Sequence, residues 1–458
     1  MSLVVSGGTV VTSLDPVGVV HGDVEIEGGR VVRVLPQSEG TPARATAPED
    51  AAQRIDARGC LVIPGNVCAH THLYSSLARG MPYTLEPPQD FIEVLRRVWW
   101  RLDRALDAPS IRASALVGGA EALLAGTTAL VDHHASPEVI DGSLDLVAEA
   151  LAGLGIRGVL AYEVTDRDGP ERSAAGVAEN RRFAARASGG SMPLARAMIG
   201  AHASFTLSDA TLAACVDAVE AAGVGLHIHV AEDQADEDDC RERFGMSVVE
   251  RLTRAGAMDS RTLVAHAVRL QGDEPALVLE AGATVLHNAR SNMNNRVGRP
   301  PLARLGSRVA LGTDGIGADM FEESRVAYLR AREDGITGDP SWALARLGQS
   351  ARVAGDAFGE PLLGRLEAGA PADLVVLDYP SPAPIDARSL PGHWIFGLSA
   401  RNVRDVVVAG EVAVRDRRLT RMDGGRLAAE ARDESARLWD RLGRIAEHPF
   451  DPRRAAAR

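Results

Sequence analysis

The middle of the chain alternates short apolar runs, typical of β-strands, with longer segments of helical periodicity. Eight strand-like runs are found, near residues 61–69, 127–132, 157–163, 196–201, 224–230, 262–266, 283–287 and 308–312. Eight strand-and-helix units predict an α/β fold, a (β/α)8 barrel of the TIM type. A doubly wound sheet shows the same alternation, but it usually carries a glycine-rich phosphate-binding loop after its first strand, and this sequence has none there.

Both ends of the chain carry short β-like segments separated by turn residues, for example at residues 9–11, 31–34, 373–378 and 403–408. Two such ends around a barrel predict a small β-sandwich domain formed from both termini. The last segment has helical periodicity and is expected to pack outside the barrel. The predicted parts are therefore the N-terminal half of the sandwich (1–60), the barrel (61–361), the C-terminal half of the sandwich (362–423) and a helical extension (424–458).

Charge and hydropathy limit which binding partners and which cellular compartment we expect. The 458 residues carry a formal net charge of −12, which argues against nucleic acid or an anionic membrane as partner because either requires a basic surface. The sequence has no run of about twenty apolar residues and no signal-peptide pattern. Its four cysteines lack paired spacing, which fits a reducing compartment. We expect a cytoplasmic protein with a small-molecule substrate.

Lysine is absent from the chain, and all fifty basic residues are arginine. This absence excludes two kinds of active site. A binuclear metal centre bridged by a carboxylated lysine is excluded, and so is Schiff-base chemistry, including that of a lysine-bound pyridoxal phosphate.

The first candidate site is His70-Thr71-His72, which follows an apolar run and the pair Pro64-Gly65. A spacing of two places both imidazoles on one face of a strand. Histidine pairs at strand ends are common metal ligands, although the pattern alone fits two packed rings equally well. The remaining strand-like runs favour the metal site.

Three later runs end in further candidate groups: His229 and Glu232 follow the fifth run, His266 closes the sixth, and Asp314 follows the eighth. The carboxyl ends of barrel strands meet on one face, so we expect these side chains to converge. We predict that His229 and Asp314 join the histidine pair in a metal site of three histidines and one aspartate. Glu232 is the predicted general acid/base, and His266 is expected to bind the substrate or a water near the metal.

Several nearby residues receive a structural interpretation instead. His227 shares a strand face with His229, and we expect it to be a hydrogen-bonded core histidine. Glu232 opens an acidic run whose later carboxylates, at residues 233–239, are expected to face solvent. Cys68 is in phase with the histidine pair but lies deeper in its strand, so we predict that it packs in the core.

Other polar and aromatic residues near the predicted strand ends are candidates for binding the substrate. At most one of His133 and His134 points inward, because successive side chains of a strand alternate. Arg290 and Arg296 are alternatives to Arg79 for holding a carbonyl or carboxylate group. The predicted substrate-binding residues are Tyr74, Arg79, His134, Glu163, His202 and Asn292.

These motifs, in this order, resemble the amidohydrolase superfamily, and within it the branch of cytosine deaminase, guanine deaminase and triazine hydrolase. A narrower resemblance, to the aminohydrolase group called SsnA, rests on five segments: residues 70–81, 99–106, 132–137, 202–208 and 291–295. The likeness spans almost the whole chain.

The resemblance implies a metal-dependent hydrolase barrel with a β-sandwich formed from both ends, usually as a homodimer. It implies one divalent metal ion per chain, zinc or iron, and we expect zinc. By the same resemblance, the ion is held by His70, His72, His229 and Asp314. Catalysis is then assigned to Glu232 and His266, together with Asp314.

The predicted reaction is hydrolytic cleavage of a non-peptide C–N bond, most simply the deamination of a purine, pterin, pyrimidine or triazine. A first alternative is ring-opening of a cyclic amide, or removal of chloride, by the same activated water. A second alternative, from another class, is a catalytically inactive barrel kept as an assembly protein. Such proteins generally lose metal ligands, and this chain keeps the full set.

Overall fold

A computed structural model of the chain describes residues 2–36 and 53–453. In chain order, its strands are β1 (Ser2–Leu14), β2 (Val17–Glu27), β3 (Arg30–Pro36), β4 (Gln53–Asp56), β5 (Leu61–Pro64), β6 (Asn66–Thr71), β7 (Thr127–His134), β8 (Arg157–Val164), β9 (Ala195–Ala197), β10 (Ile199–Ala203), β11 (Leu226–Val230), β12 (Leu263–His266), β13 (Thr284–His287), β14 (Val309–Leu311), β15 (Leu374–Leu377), β16 (Val403–Val408), β17 (Glu411–Arg415) and β18 (Arg418–Leu419).

The α-helices connect these strands or pack against them. They are α1 (Phe91–Val94), α2 (Trp100–Ala105), α3 (Ala108–Leu124), α4 (Ser143–Leu154), α5 (Pro170–Ser188), α6 (Asp209–Ala222), α7 (Gln234–Phe244), α8 (Val248–Arg254), α9 (Glu274–Ala281), α10 (Ala289–Asn294), α11 (Met320–Glu333), α12 (Ser341–Phe358), α13 (Leu390–Phe396) and α14 (Gly424–Leu442). A π-helical turn, Leu95–Trp99, joins α1 to α2. Within the described ranges, no helix is both long enough and apolar enough to cross a membrane.

The predicted (β/α)8 barrel is confirmed. Strands β6, β7, β8, β10, β11, β12, β13 and β14 are parallel neighbours in this order. A parallel bridge between Thr71 and Asp314 closes the barrel between β6 and β14. The backbone amides of Thr313 and Asp314 both donate to the carbonyl of His70, at 2.8 and 3.1 Å. The closing contact therefore fixes two predicted site residues against each other.

Two of the predicted strands are each divided in the structure. The run near 61–69 forms β5 and β6, and the run near 196–201 forms β9 and the start of β10. Strand β5 pairs with β1 and β15, outside the barrel. Gly65 lies at the crossing point, where a Cβ atom would overlap the side chain of Thr128. The chain passes from one sheet to the other at this glycine because only a residue without a side chain fits.

Both ends of the chain build a second sheet, which confirms that part of the fold prediction. Its strand order is β18, β17, β16, β15, β5, β1, β2 and β3, with β4 paired to β1. An apolar core that includes Leu3, Val24, Val376 and Val407 stabilises this sheet through residues from both termini. The boundaries of the predicted domains stay a prediction.

The C-terminal segment packs on the outside of the barrel beside the helices that follow β6. Helix α14 is amphipathic and contacts α2 and α3. The indole Nε1 of Trp439 donates to the carbonyl of Leu77 at 2.9 Å. Beyond α14, the backbone amide of His448 donates to the carbonyl of Arg96 at 3.0 Å. This segment thus supports the π-helical turn, which forms one wall of the site described next.

Candidate metal centre and active site

The predicted site residues meet at the carboxyl ends of the barrel strands, and the backbone there is strained. Ala231 has φ of 46°, His266 of 71° and Asp314 of 54°. Left-handed conformations are costly for residues other than glycine, and they persist where the surrounding structure enforces them, often at functional sites. Each of the three lies at or just after the end of a barrel strand.

His72 and His229 point the same ring atom at each other. Their Nε2 atoms lie 3.3 Å apart. The Nδ1 atom of His72 lies 2.6 Å from the carbonyl of His133, and that of His229 lies 3.0 Å from the carbonyl of His202. Each carbonyl fixes the proton on Nδ1 and leaves the Nε2 lone pair free. Two nitrogens bound tetrahedrally to one zinc ion lie about 3.3 Å apart, so the pair fits such an ion.

His70 and Asp314 complete the predicted set of metal ligands. The Nε2 atom of His70 is buried without a hydrogen-bond partner among the described residues. It lies 3.6 Å from Oδ1 of Asp314, and the same oxygen lies 2.9 Å from Nε2 of His72. A buried imidazole nitrogen without a partner is expected where a metal binds. The four side chains therefore fit one divalent ion of the kind that prefers nitrogen and oxygen ligands.

The protonation states of His70, His229 and Asp314 agree with this assignment. Burial lowers the pKa of His70 to about 3 and that of His229 well below its usual value. Burial by itself raises the pKa of Asp314, but the adjacent imidazoles of His70 and His72 hold that pKa well below its ordinary value. Neutral imidazoles and an ionised carboxylate are the forms that bind a metal ion. Burial by itself lowers the pKa of His72, but Asp314 and Glu163 outweigh it and raise that pKa to about 9, so that metal binding there would displace a proton.

Two further histidines near this centre are not among the predicted ligands or substrate-binding residues. His227 is a hydrogen-bonded core histidine, as predicted, and its Nε2 atom lies 2.9 Å from Nδ1 of His70. His133 stacks on His227 with ring centroids 4.4 Å apart. A ligand atom of His133 also lies within 4.8 Å of ligand atoms of His70, His72 and His229. Strand alternation predicted that at most one histidine of β7 points inward, and in the structure that residue is His133.

His134, which the sequence favoured for substrate binding, lies away from the site. Its Nε2 atom is 2.9 Å from Oγ of Ser136, and it does not line the pocket described below. The alternation rule identifies two opposite faces but does not say which face points into the barrel. Val131 belongs to an apolar cluster formed by residues of several barrel strands. His133 lies two residues further along the same strand and therefore on the same face as Val131.

Helix α10 holds the two carboxylates assigned to proton transfer. Ser291 Oγ donates a short hydrogen bond to Oδ2 of Asp314. Asn295, which caps α10, donates from Nδ2 to Oε1 of Glu232 and to Oγ of Ser291, each at 3.3 Å. These contacts connect Glu232 to Asp314 through one short segment. The sequence marked residues 291–295 as a family motif but gave no role to Ser291 or Asn295.

Asn292 has a different role from the predicted one. Its Oδ1 atom accepts a hydrogen bond from Nδ1 of His266 at 2.8 Å. The Asn292 side chain is buried and does not line the pocket. It therefore fixes the tautomer and ring orientation of His266, whose Nε2 atom lies 3.5 Å from Oε2 of Glu232.

Glu232 has an environment suited to moving a proton. Burial raises the pKa of Glu232 to about 7, against opposing contributions from His266 and Asn295. A carboxyl group with this pKa can both accept and donate a proton near neutral pH. The side chain also lines the pocket beside His72 and His229. The structure thus places the predicted acid/base next to the predicted metal ligands.

A pocket opens beside these residues. Its apolar walls come from Tyr74, Phe91, Leu95, Trp99, Trp100 and Phe205. Its polar lining includes Glu163 and His202, and no arginine is found among the described residues that line it. His202 is held by Thr206, with Nδ1 and Oγ1 2.9 Å apart. Tyr74, Glu163 and His202 therefore lie where the sequence placed the substrate.

Arg79 lies outside this pocket. Its two guanidinium nitrogens donate to the carboxylate of Glu121 at 2.7 and 2.6 Å, and the side chain is 66% exposed. Arg290 is likewise paired, with Glu322 and Glu323, and both arginines border a neighbouring cavity. Because these guanidinium groups already have carboxylate partners, they are poor candidates for binding an anionic substrate group.

Glu163 lies between the pocket and the metal ligands. Its Oε1 atom is 3.2 Å from Nδ1 of His72 and 3.4 Å from Nδ1 of His133. Burial raises the pKa of Glu163 to about 7. A carboxyl group behind a metal-ligating histidine orients that ring and increases its basicity. Glu163 is thus placed to orient His72 as well as to contact a substrate.

The expectation that the acidic run after Glu232 faces solvent is wrong for three of its members. Asp236, Glu237 and Asp239 are buried, whereas Asp238 is exposed. Asp236 accepts hydrogen bonds from the amides of Phe205 and Ala231, at 3.0 and 2.9 Å. Helix α7 turns this face toward the barrel, and unsatisfied backbone amides there require an acceptor.

Comparisons with known proteins agree with this geometry. Residues 61–413 match the profile of the amidohydrolase family. The 5-methylthioadenosine/S-adenosylhomocysteine deaminase of Symbiobacterium thermophilum is 32% identical over 458 residues, covering 95% of this chain and 99% of the relative. The 5′-deoxyadenosine deaminase of Methanosarcina mazei is 28% identical, covering 96% of this chain and 100% of the relative.

Solved structures show the same fold. A zinc-bound adenosine deaminase from Xanthomonas campestris has a TM-score of 0.77 and 24% identity, covering 95% of this chain and 98% of its own. An atrazine chlorohydrolase from Arthrobacter aurescens, complexed with zinc, has a TM-score of 0.79 and 22% identity, covering 94% of this chain and 100% of its own.

Proposed function

Because the chain belongs to the amidohydrolase family, we propose that it is a metal-dependent hydrolase that deaminates a nitrogen heterocycle. The observation that carries this proposal is the opposed pair of Nε2 atoms in His72 and His229, 3.3 Å apart, beside the acid/base candidate Glu232. The relatives named above are deaminases of adenosine-type compounds, which favours an aminopurine among the candidate rings. The narrower SsnA assignment stays a prediction.

The proposed metal site consists of His70, His72, His229 and Asp314, and the proposed ion is zinc, one per chain. Three neutral imidazoles and one carboxylate form a ligand set that suits zinc. When bound, a zinc ion lowers the pKa of a water molecule toward about 7 and so supplies a nucleophile at neutral pH. The orphaned Nε2 atom of His70 supports the assignment.

The chain's own residues would move the protons of the reaction. Glu232 and Asp314 accept the proton of the attacking water, and Glu232 delivers a proton to the ring nitrogen next to the attacked carbon. His266, fixed by Asn292, stabilises the negative charge that develops at the reacting centre. The other proton of that water passes from the new hydroxyl group to the exocyclic amine, so that the C–N bond breaks, ammonia leaves and the oxygen of the water remains on the ring carbon as a carbonyl.

The pocket walls would hold the ring. Trp100 and Phe205 are almost fully buried and present aromatic surface to the pocket. A planar heterocycle packs favourably on such surfaces. Glu163 and His202 supply polar atoms for the ring substituents. The absence of arginine among the described lining residues favours an uncharged or cationic ring over an anionic one.

The experiment is to measure ammonia release from zinc-loaded protein with amino-substituted purines, pterins, pyrimidines and triazines. We expect release with at least one ring class and a loss of about 100-fold or more in kcat for Glu232→Gln, with zinc content unchanged. The matched control is Asp238→Asn, an exposed carboxylate of the same acidic run. Product formation without ammonia would favour ring-opening or loss of chloride instead.

We also propose that the protein is a cytoplasmic homodimer with a small-molecule substrate and without nucleic-acid or membrane partners. The support is the family resemblance and the acidic net charge of −12. Light scattering coupled to size-exclusion chromatography tests the dimer, and a mass of one chain would contradict it.

A further inference from the structure

Two cavities reach the candidate metal centre. The inner pocket is the one described above, and a larger outer cavity lies beside it. Four residues border both spaces: His72, Trp99, Asn295 and Asp314. Both cavities therefore border the same pair of proposed ligands, His72 and Asp314.

The indole of Trp99 stands between the two cavities. Its ring centroid lies 6.0 Å from that of His72 and 6.0 Å from that of Tyr74. The six-membered ring rests on Gly315, where a Cβ atom would overlap it. Gly315 directly follows Asp314, so the indole closes against the backbone of the metal site. A side chain at position 315 would push this wall away.

The local helix geometry places Trp99 in this position. Successive side chains of an α-helix point about 100° apart, so adjacent residues rarely face one site. The π-helical turn Leu95–Trp99 inserts one extra residue, and Trp99 and Trp100 both line the inner pocket. Such turns occur frequently at functional sites. Trp100 is held from behind by the rings of His448 and Phe450, at 5.2 and 5.8 Å between centroids.

The two cavities differ in chemistry. The inner pocket has aromatic walls, and its charged lining is acidic: Glu163, Glu232, Asp233, Asp236 and Asp314. The outer cavity is bordered by the ion pairs Arg79–Glu121 and Arg290–Glu322. A flat ring with hydrogen-bond donors matches the inner pocket, whereas a ring substituent would have to pass Trp99 to reach the outer cavity.

We propose that Trp99 is a specificity-determining residue that keeps substituents of a ring held in the inner pocket out of the outer cavity. The inference rests on the proposed deamination and deepens it. With the indole seated on Gly315, a bulky substituent cannot extend from the inner pocket into the outer cavity. Truncation of Trp99 joins the two cavities and removes this limit.

The test uses an aminopurine and an aminotriazine, each paired with a benzyl-substituted analogue. The ratio of kcat/KM for the analogue over the parent compound is measured by ammonia release in wild type, Trp99→Ala and Trp99→Phe. The ratio of the binding affinity for the analogue over that for the parent compound is measured by calorimetry in Glu232→Gln, with and without each Trp99 substitution. We expect Trp99→Ala to raise both ratios by about tenfold or more, and Trp99→Phe, which keeps a ring, to raise them by less.

The matched control is Trp342→Ala, a half-buried tryptophan that lines neither cavity and is expected to leave the ratios unchanged. Unchanged ratios in Trp99→Ala, with native circular dichroism and zinc content, overturn the proposal; Trp99→Leu replaces Trp99→Ala if that variant does not fold. Binding without ammonia release counts against the proposed function alone, because the affinity ratios still decide the role of Trp99. No binding of any compound overturns both.

Discussion

The Nε2 atoms of His72 and His229 face each other at 3.3 Å, although the two residues are 157 positions apart in the chain. A separate backbone carbonyl holds each Nδ1 atom, so both rings offer the same free nitrogen to one point. The parallel barrel brings these strand ends together, and the convergence of the two rings makes the metal assignment open to direct measurement.

Removing His229 should abolish metal binding. We expect His229→Ala to weaken zinc affinity by more than about 100-fold. Mutation of a residue that merely hydrogen-bonds to a metal ligand already weakens metal affinity by about 10–100-fold. His227→Ala should weaken zinc affinity within that smaller range, because His227 is not a proposed ligand and acts on the site through Nδ1 of His70. Zinc content after dialysis against a chelator measures both effects. His21→Ala, in the terminal sheet, should retain its zinc, and wild-type metal content in His229→Ala would refute the site.

Asn295 should act on catalysis through Glu232. Its Nδ2 atom donates to the Glu232 carboxylate at 3.3 Å, which lowers the pKa of that group. We expect Asn295→Ala to lower kcat by about tenfold, the value of one hydrogen bond to a charged group, and to leave zinc content unchanged. The acid limb of the pH–rate profile should move to higher pH, because Glu232 then keeps its proton longer.

Met293→Ala is the matched control for Asn295→Ala. Met293 lies in the same helix, and its side chain is exposed. It should keep the wild-type kcat and pH profile. A loss of kcat in Asn295→Ala with an unmoved acid limb would contradict a role that acts through Glu232.

Glu237 should make the protein less stable as the pH rises. Burial, reinforced by the nearby carboxyls of Glu274 and Asp236, raises the pKa of Glu237 to about 8, and Arg241 opposes the shift. The folded chain therefore binds a proton that the unfolded chain releases above about pH 4.5. This contribution to stability is complete at low pH and is lost as the pH rises toward 8.

The measurement is Tm against pH for wild type and Glu237→Gln. The amide cannot ionise, so we expect the variant to lose part of the decline in Tm between pH 5 and about 8.5. Glu242→Gln, an exposed carboxylate of the same helix, should follow the wild type. Parallel curves for wild type and Glu237→Gln would show that Glu237 does not retain its proton in the folded state.

The ion pair between Arg157 and Asp373 should contribute strongly to stability. It joins barrel strand β8 to the residue before β15 through two hydrogen bonds, at 2.8 and 3.0 Å, and both side chains are nearly buried. Asp373→Ala leaves the Arg157 charge unpaired and should lower the free energy of unfolding by about 3–5 kcal/mol.

Urea unfolding measures the loss in Asp373→Ala. The comparison is Glu430→Ala, which breaks the exposed pair of Arg426 and Glu430 and should leave the free energy of unfolding nearly unchanged. Equal losses in the two variants would show that burial does not strengthen the pair between the sheets.

The barrel and the core of its site could be predicted because both depend on local patterns. Strand-like runs alternate with helical segments, and His70, His72, His229, His266 and Asp314 follow or close such runs. The parallel topology then forces strand ends to meet. The division of the run near 61–69 could not be predicted, because the break depends on the close approach of Thr128 to Gly65.

The sequence by itself determined the barrel, the absence of lysine chemistry and the side chains proposed to carry the reaction, since periodicity and residue identity are local properties. Only the tertiary structure decided which neighbours orient them. His133 faces the centre in place of His134, Asn292 holds His266, and Trp99 seals the pocket against Gly315. These relationships depend on the rotation of each strand and on contacts between distant segments, which no local pattern encodes.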